Sequence, residues 1–302
     1  MSGLLNTADA RARRDLSPAK SPRKFLGFDL TLDWLTRPLF GFALAMLAVA
    51  ATWYGGFWFA LFVAAGGAAA AREWHRMFAG SNYFWVGLVS VAGIAASAGT
   101  EVLVPAHPHL AIVPWLILGA AAMLNLLLSA KRGAAMLWHG ASMLYVGVPV
   151  LSLVAIREMS AHGVWELFAL FIAVWLTDTG ALICGSLIKG PKLWPAVSPN
   201  KTWAGAVGGG FAGTLATAVF FLLLRASPVH GAMLGLSASV IGQLGDLFES
   251  FLKRKVGRKN SGSLIPGHGG VLDRIDSMLF VAPVAAVVFL IAQVDPFLLG
   301  AP

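Results

Sequence analysis

Apolar residues dominate the chain in long runs that polar residues interrupt only briefly. Residues 38–71 hold no charged side chain over 34 positions, and Tyr54-Gly55-Gly56 within this run predicts a tight turn between two helices. Each further run is long enough to cross a hydrocarbon layer as a helix, which needs about 17 to 25 residues. The pattern predicts an all-α fold, a polytopic transmembrane helical bundle of about nine spans. The further runs are residues 82–98, 109–130, 134–156, 163–188, 202–224, 231–251 and 277–299.

Lysine and arginine are distributed unevenly between alternate loops. If the N-terminus lies in the cytoplasm, 20 of the 22 basic residues fall in cytoplasmic segments, and only Arg157 and Arg225 fall outside. Cytoplasmic loops of membrane proteins carry such an excess, and a wrong number of spans would scramble it. The sequence therefore predicts a basic cytoplasmic tail over residues 1–36 and one integral membrane domain over residues 37–302.

Composition narrows the class of protein. Hydrophobic residues make up 58% of the chain and charged residues only 12%, whereas soluble domains carry about 25% charged residues. This excludes a disordered chain and an ordinary water-soluble enzyme. The net charge of +8 follows from the one-sided basic loops, so no nucleic-acid partner is expected. Cys184 is the single cysteine, which excludes an internal disulfide.

Few carboxylates lie within the predicted spans, where such groups are costly and usually functional. Asp178 lies in one span and Asp246 in another, both about 22 Å from the outer surface at a rise of about 1.5 Å per residue. Gln243, Asp246, Glu249 and Lys253 recur at steps of three and four residues, so they share one polar face of a helix. A polar clamp between helices is the alternative, but this face continues into the most highly charged loop of the chain.

That loop covers residues 253–276 and combines cations, glycines, a histidine and two aspartates. Lysine and arginine neutralise phosphate, glycine lets the backbone approach it, and carboxylates hold a hard cation such as Mg²⁺. The combination is typical of a site for a polyphosphate with a divalent metal. Binding of anionic lipid headgroups is the alternative, although that role needs neither Asp273 nor Asp276.

The preceding cytoplasmic loop offers a second set of polar groups. Ser198, Lys201 and Thr202 come just before a predicted helix, and a hydroxyl and a lysine at a helix N-terminus suit an anion. The glycines at 208–210 open that helix. They fit the same site, but glycine-rich faces also allow close packing of helices in membranes.

Together, the two loops resemble those of phosphatidate cytidylyltransferase, also called CDP-diacylglycerol synthase. The signature of that family starts as Ser-x-apolar-Lys-Arg, passes through a lysine and a glycine-bearing stretch to Pro-x-His-Gly-Gly, and ends in Asp-Arg-apolar-Asp. Asp-Thr-Gly-Ala at 178–181 and Ser-Pro-x-Lys-Thr-Trp at 198–203 are similar to the same family, so the resemblance covers about residues 175–277. The matching signature residues are Ser250, Lys253, Arg254, Lys259, Gly262, Pro266, His268, Gly269, Gly270, Asp273, Arg274 and Asp276.

Two positions depart from the family pattern. The family has Asp after the loop lysine and Glu after Lys-Thr-Trp, whereas this chain has Asn260 and Ala204. Asn260 keeps an oxygen ligand without its charge, and Ala204 removes the carboxylate. Two alternatives therefore stay open: a divergent paralogue with low or no activity that binds or transports lipid, and a CTP-dependent transferase with another lipid acceptor.

The resemblance implies an Mg²⁺-dependent nucleotidyltransferase of phospholipid synthesis, integral to the bacterial inner membrane, with its active site facing the cytoplasm. CTP and phosphatidic acid would give CDP-diacylglycerol and pyrophosphate, with the bilayer as a further partner; a second cation and a homodimer stay open. Catalytic roles would fall to Asp246, Asp273, Lys253, Arg274 and His268. Metal ligands would be Asp246, Asp273, Asp276 and Asn260. Substrate-binding residues would be Ser198, Lys201, Thr202, Arg254, Lys259, Gly269, Gly270, Asp178 and Glu249.

Overall fold

The computed structural model describes residues 24–25, 28–29, 33–79, 83–130, 135–262, 264, 269–291, 293 and 295–297. The chain divides into two units, residues 1–44 and residues 45–302. The described part of the first unit contains a short antiparallel strand pair, β1 (Lys24–Phe25) and β2 (Phe28–Asp29), and the beginning of the first helix. The functional residues predicted from the sequence all lie in the second unit.

Helices make up most of the described chain, and they follow one another with short connections. A π-helical segment, Met143–Gly147, joins the helices Ala135–Ser142 and Val148–Met159, and another, Val287–Ile291, continues the helix Leu272–Ala286. A short 3₁₀ helix, Pro108–Leu110, precedes the helix Val113–Ser129. The α-helices are α1 (Asp33–Tyr54), α2 (Gly56–Ala79), α3 (Phe84–Glu101), α4 (Val113–Ser129), α5 (Ala135–Ser142), α6 (Val148–Met159), α7 (Gly163–Leu187), α8 (Trp203–Leu223), α9 (Pro228–Lys255) and α10 (Leu272–Ala286).

The predicted polytopic helical membrane bundle is confirmed. Among the described residues, seven helical segments are long and apolar enough to cross a membrane. Helices α1 and α2 correspond to the other two predicted spans, and that they cross the membrane stays a prediction. They are separated at Gly55, whose φ of 66° is the left-handed conformation that a tight turn requires. The seven segments are Phe84–Glu101, Pro108–Ser129, Met136–Met159, Gly163–Leu187, Trp203–Leu223, Pro228–Lys255 and Leu272–Ile291.

A second strand pair, besides β1 and β2, interrupts the helices of the described chain. Strands β3 (Lys192–Trp194) and β4 (Ser198–Thr202) form an antiparallel hairpin between α7 and α8, with Lys192 opposite Thr202. Thr202 then caps α8, because its Oγ1 accepts a hydrogen bond from Gly205 N at 3.1 Å. The hairpin thus places the end of β4 directly at the start of a membrane-spanning helix.

Glycines allow the helices around the site to pack closely. On α8, a Cβ at Gly209 would lie 2.6 Å from Thr177 O, and one at Gly213 would lie 2.9 Å from Ala173 O, both on α7. On α9, a Cβ at Gly245 would lie 2.8 Å from Asp276 O of α10. The glycine run at 208–210 therefore contributes to helix packing, as one of its two interpretations predicted. This packing brings α7, α9 and α10 around one polar cavity.

Candidate active site

A cavity of about 790 Å³ lies where the ends of α7 and α9, the hairpin, and the starts of α8 and α10 meet. It is lined by polar side chains of α7, the hairpin, α9 and α10, by small residues of α8, and by apolar residues of α7 and the hairpin. Its mixed lining suits a ligand with a charged part and an apolar part. The lining residues are Asp178, Ala181, Leu182, Gly185, Ser186, Leu193, Asn200, Lys201, Thr202, Gly205, Ala206, Gln243, Asp246, Lys253, Asn260, Gly269, Asp273, Arg274 and Asp276.

Three carboxylates meet at the wall of this cavity. One oxygen each from Asp246, Glu249 and Asp276 lies within 4.8 Å of the other two. Asp246 and Glu249 share a face of α9 because they are three residues apart, and the close approach at Gly245 brings α10 with Asp276 beside them. The Glu249 side chain is fully buried, and its Oε1 has no hydrogen-bond partner among the described residues. Such an oxygen is available to a ligand.

Two lysines partly neutralise the carboxylates. Lys201, from β4, forms an ion pair with Asp246. The Lys201 side chain is 27% exposed and the Asp246 side chain is 31% exposed. Lys253 forms ion pairs with Glu249 and with Asp273, the latter at 2.8 Å from Nζ to Oδ1. The Lys253 side chain is only 12% exposed. Lys201 therefore faces the cavity, whereas Lys253 is held mainly between two helices.

Asp273 binds the two described ends of residues 256–271, which join α9 to α10 and are hereafter called the signature loop. Its carboxylate accepts hydrogen bonds from Ser261 N at 3.1 and 3.2 Å and from Gly270 N at 3.0 Å, besides the Lys253 contact. The carboxylate cluster thus contains Glu249, predicted to bind substrate, and Asp276, a predicted metal ligand. Asp273 lies beside that cluster as the residue that ties the signature loop to α10.

The structure brings the remaining predicted residues together to different degrees. Asp178, Thr202, Asn260, Gly269 and Arg274 line the cavity, and Gly269 has a φ of 86°, which favours glycine. Ser198 lies at the start of β4, outside the cavity lining as far as the described residues go. Arg254 and Lys259 are exposed, and Arg254 Nε donates a hydrogen bond to Val197 O at 3.3 Å. Gly270 is buried, and its amide donates to Asp273. His268 lies outside the described residues.

Comparison with known proteins identifies the family. The model of the cytidylyltransferase family matches residues 35–292. The chain belongs to the cytidylyltransferase family. Phosphatidate cytidylyltransferases of Brucella suis biovar 1 and Brucella abortus biovar 1 are each 37% identical to it over 254 residues, which are 82% of this chain and 90% of the relative. That of Bacillus subtilis is 42% identical over 143 residues, 46% of this chain and 53% of the relative.

One residue of this cytidylyltransferase site was missed in the sequence. Glu73, on α2, is 5% exposed, and its Oε2 accepts hydrogen bonds from Leu272 N at 2.9 Å and Ser261 Oγ at 3.2 Å. Almost two hundred positions separate it from these partners, so no local motif connects them. In the sequence Glu73 stands between Arg72 and Arg76, directly after the charge-free run that ends at residue 71, so no signal distinguished it from a charged residue of a cytoplasmic loop.

Proposed function

We propose that this protein transfers a cytidylyl group from CTP to phosphatidic acid, giving CDP-diacylglycerol and pyrophosphate. The observation that carries the proposal is the 37% identity to phosphatidate cytidylyltransferases over 82% of the chain. The cavity supports it, because carboxylates, cations and glycine meet there beside apolar residues of α7. A lipid with a phosphate headgroup and a nucleoside triphosphate both suit such a lining.

The reaction needs positioning more than acid–base chemistry. A phosphate oxygen of phosphatidic acid attacks the α-phosphorus of CTP, the bond from that phosphorus to the bridging oxygen breaks, and pyrophosphate leaves with the electron pair. The attacking phosphate monoester is already largely anionic near pH 7, since its second pKa is about 6. The main barrier is repulsion between two polyanions, which cations placed in advance lower.

The carboxylate cluster supports Mg²⁺ as the cofactor. Asp246, Glu249 and Asp276 supply oxygen donors, which hard divalent cations prefer, and the unpartnered Glu249 Oε1 fits this use. Asp273 and Asn260 are further candidate ligands for the same ion or a second cation. Bound there, Mg²⁺ would neutralise phosphate oxygens of CTP at the point of attack.

The cationic side chains and the Thr202 hydroxyl bind phosphate or hold the carboxylates in place. Lys201 pairs with Asp246, a candidate metal ligand, and with that carboxylate engaged by a cation Lys201 would be free to bind phosphate. Arg274 lines the same cavity, and Arg254, Lys259 and His268 belong to the signature sequence around it. Lys253 keeps Glu249 and Asp273 in place. The Thr202 oxygen already caps α8, so the hydroxyl hydrogen remains available to form a hydrogen bond with phosphate. Asp178, which lines the same cavity, would orient Lys201 or a water molecule of the metal site.

In this proposal the protein lies in a bacterial inner membrane, and its active site faces the cytoplasm. The cavity lies at the ends of α7 and α9 that are followed by the lysine- and arginine-rich loops, and such loops are retained on the cytoplasmic side. CTP enters from the cytosol. Phosphatidic acid enters sideways from the inner leaflet past the apolar side of α7, where Leu182 lines the cavity and is exposed.

The direct test uses the purified full-length chain in phospholipid vesicles, with CTP labelled at the α-phosphate, Mg²⁺ and phosphatidic acid. We expect labelled CDP-diacylglycerol and an equal amount of pyrophosphate, both absent without phosphatidic acid. Diacylglycerol, dolichol and lysophosphatidic acid test other acceptors. Binding of labelled CTP without turnover by folded protein would support the inactive paralogue instead, and lipid movement that ignores CTP would support a transporter.

A further inference from the structure

Glu73 contacts both ends of the signature loop from a helix that is distant in sequence. Its Oε2 accepts hydrogen bonds from Ser261 Oγ, near the beginning of the loop, and from Leu272 N, just after its end. Since the side chain is 5% exposed, these bonds form away from solvent, where an unpaired carboxylate would be costly. The carboxylate therefore fixes the distance between the two loop ends.

The contact with Leu272 also caps helix α10. Leu272 is the first residue of α10, and Val271, at the N-cap position, makes no side-chain capping bond. The first amides of a helix lack partners within the helix and attract negative charge. Glu73 supplies both the acceptor and the charge from α2. Its capping bond sets the start of the turn that carries Asp273 and Asp276.

Two glycines of the signature pack directly on this carboxylate. A Cβ built on Gly262 would lie 2.6 Å from Glu73 Cδ, and one built on Gly270 would lie 2.9 Å from the same atom. A Cβ at either position would require the Glu73 carboxylate to move away from where it lies. Glycine at these two positions is thus explained by close approach to a protein carboxylate, in addition to any approach to phosphate.

Asp273 binds the same two loop ends from α10. Ser261 N and Gly270 N both donate to its carboxylate. The loop ends are therefore clamped between Glu73 and Asp273. Helix α2 is a firm base for this clamp, because Trp74 Nε1 donates to Trp138 O at 2.6 Å and His75 is hydrogen-bonded to His139, with 2.8 Å between the two Nδ1 atoms.

We propose that Glu73 is a positioning residue of this enzyme: by capping α10 and clamping the ends of the signature loop, it holds Asp273 and Asp276 at the carboxylate cluster. The catalytic consequence rests on the proposed function, whereas the structural consequence does not. Loss of a group that orients a metal site typically lowers metal affinity or activity by about 10- to 100-fold.

The test compares Glu73→Ala and Glu73→Gln with wild type and with Glu101→Gln. Glu101 is a matched control, since it is 2% exposed and lies at the far end of the adjacent helix α3. Glutamine keeps an oxygen acceptor for Leu272 N but loses the charge, so Glu73→Gln should retain more function than Glu73→Ala. Amide hydrogen exchange of peptides covering 256–276 and the Mg²⁺ concentration for half-maximal activity are the two measurements.

We expect faster exchange confined to 256–276 and a Mg²⁺ requirement raised by about 10-fold or more in Glu73→Ala, both partly restored in Glu73→Gln, with Glu101→Gln like wild type. The proposal is overturned if both variants keep wild-type exchange and Mg²⁺ requirement, or if Glu101→Gln shows the same changes. If Glu73→Ala does not fold, Glu73→Gln alone decides by the same two measurements. Should the wild type form no CDP-lipid, the proposed function fails, and hydrogen exchange still decides whether Glu73 holds the loop.

Discussion

Lys253, in the last turn of α9, forms an ion pair with Asp273 in the first turn of α10, with 2.8 Å between Nζ and Oδ1. The same ammonium group pairs with Glu249 one turn earlier on α9. One cation thus joins the two helices that supply the carboxylate cluster, and these helices also approach each other closely at Gly245. Structure and chemistry of the site depend on this junction.

Removing the Lys253 charge should destabilise the protein more than it would at an exposed position. Lys253→Met leaves the fully buried Glu249 without its cation, and breaking a buried pair by removing one partner costs about 3 kcal/mol or more. The free energy of unfolding in mixed detergent micelles measures this. Adding Glu249→Gln should recover part of the loss because the two residues are coupled; strictly additive effects would argue against the pair.

Asp246→Asn should lower CDP-diacylglycerol formation by about 100-fold or more, because one of three converging carboxylates loses its charge. Binding of Mn²⁺, measured by electron paramagnetic resonance, should weaken in parallel. Asp295→Asn is the control, since that carboxylate pairs with His162 at 2.6 Å, away from the cavity lining. A variant at 246 with wild-type Mn²⁺ binding would disprove the metal assignment.

Lys201→Met should reduce kcat/KM for CTP by about 10- to 100-fold, the usual value of a hydrogen bond between charged groups. Its ammonium faces the cavity next to Asp246. Lys192→Met provides the comparison, because Lys192 is exposed on the neighbouring strand of the same hairpin and is not part of the cavity lining. Equal losses in both variants would indicate a general charge effect of the hairpin instead of a contact with phosphate.

Gly245→Val should separate α9 from α10 and reduce both thermal stability and activity. A Cβ at this position would lie 2.8 Å from Asp276 O and 3.1 Å from Phe280 Cβ, so the helices must shift. Gly119→Ala is the control, because nothing lies within 4 Å of its Cβ position and alanine favours a helix by up to about 1 kcal/mol. Tryptophan fluorescence during heating measures the melting temperature, and an unchanged value for Gly245→Val contradicts the packing argument.

The polar face of α9 shows how far spacing could predict the site. Steps of three and four residues place Gln243, Asp246, Glu249 and Lys253 on one side of a helix, and Gln243, Asp246 and Lys253 indeed line the cavity. Spacing does not reveal which oxygen atoms of another helix come within 4.8 Å. That distance is set by the close packing at Gly245, which brings Asp276 of α10 beside Asp246 and Glu249.

The hairpin and Glu73 show what sequence patterns left out. Strands β3 and β4 are three and five residues long, too short for a period-two pattern to indicate them. Glu73 meets Leu272 across 199 positions, and a single carboxylate carries no motif that would predict such a contact. The Glu73 contact arises from pairing between distant segments, which a local pattern does not encode.

By itself, the sequence determined the membrane class, the helical bundle and the two loops that carry the family signature. It could do so because the cost of burying charge in a bilayer confines polar residues to a few positions, and these can be read one by one. Only the tertiary structure decided which carboxylates converge, that Lys253 joins α9 to α10, and that Glu73 supports the signature loop from α2. These depend on how closely particular helices approach each other, and that approach is set by glycines and buried hydrogen bonds between segments far apart in the chain.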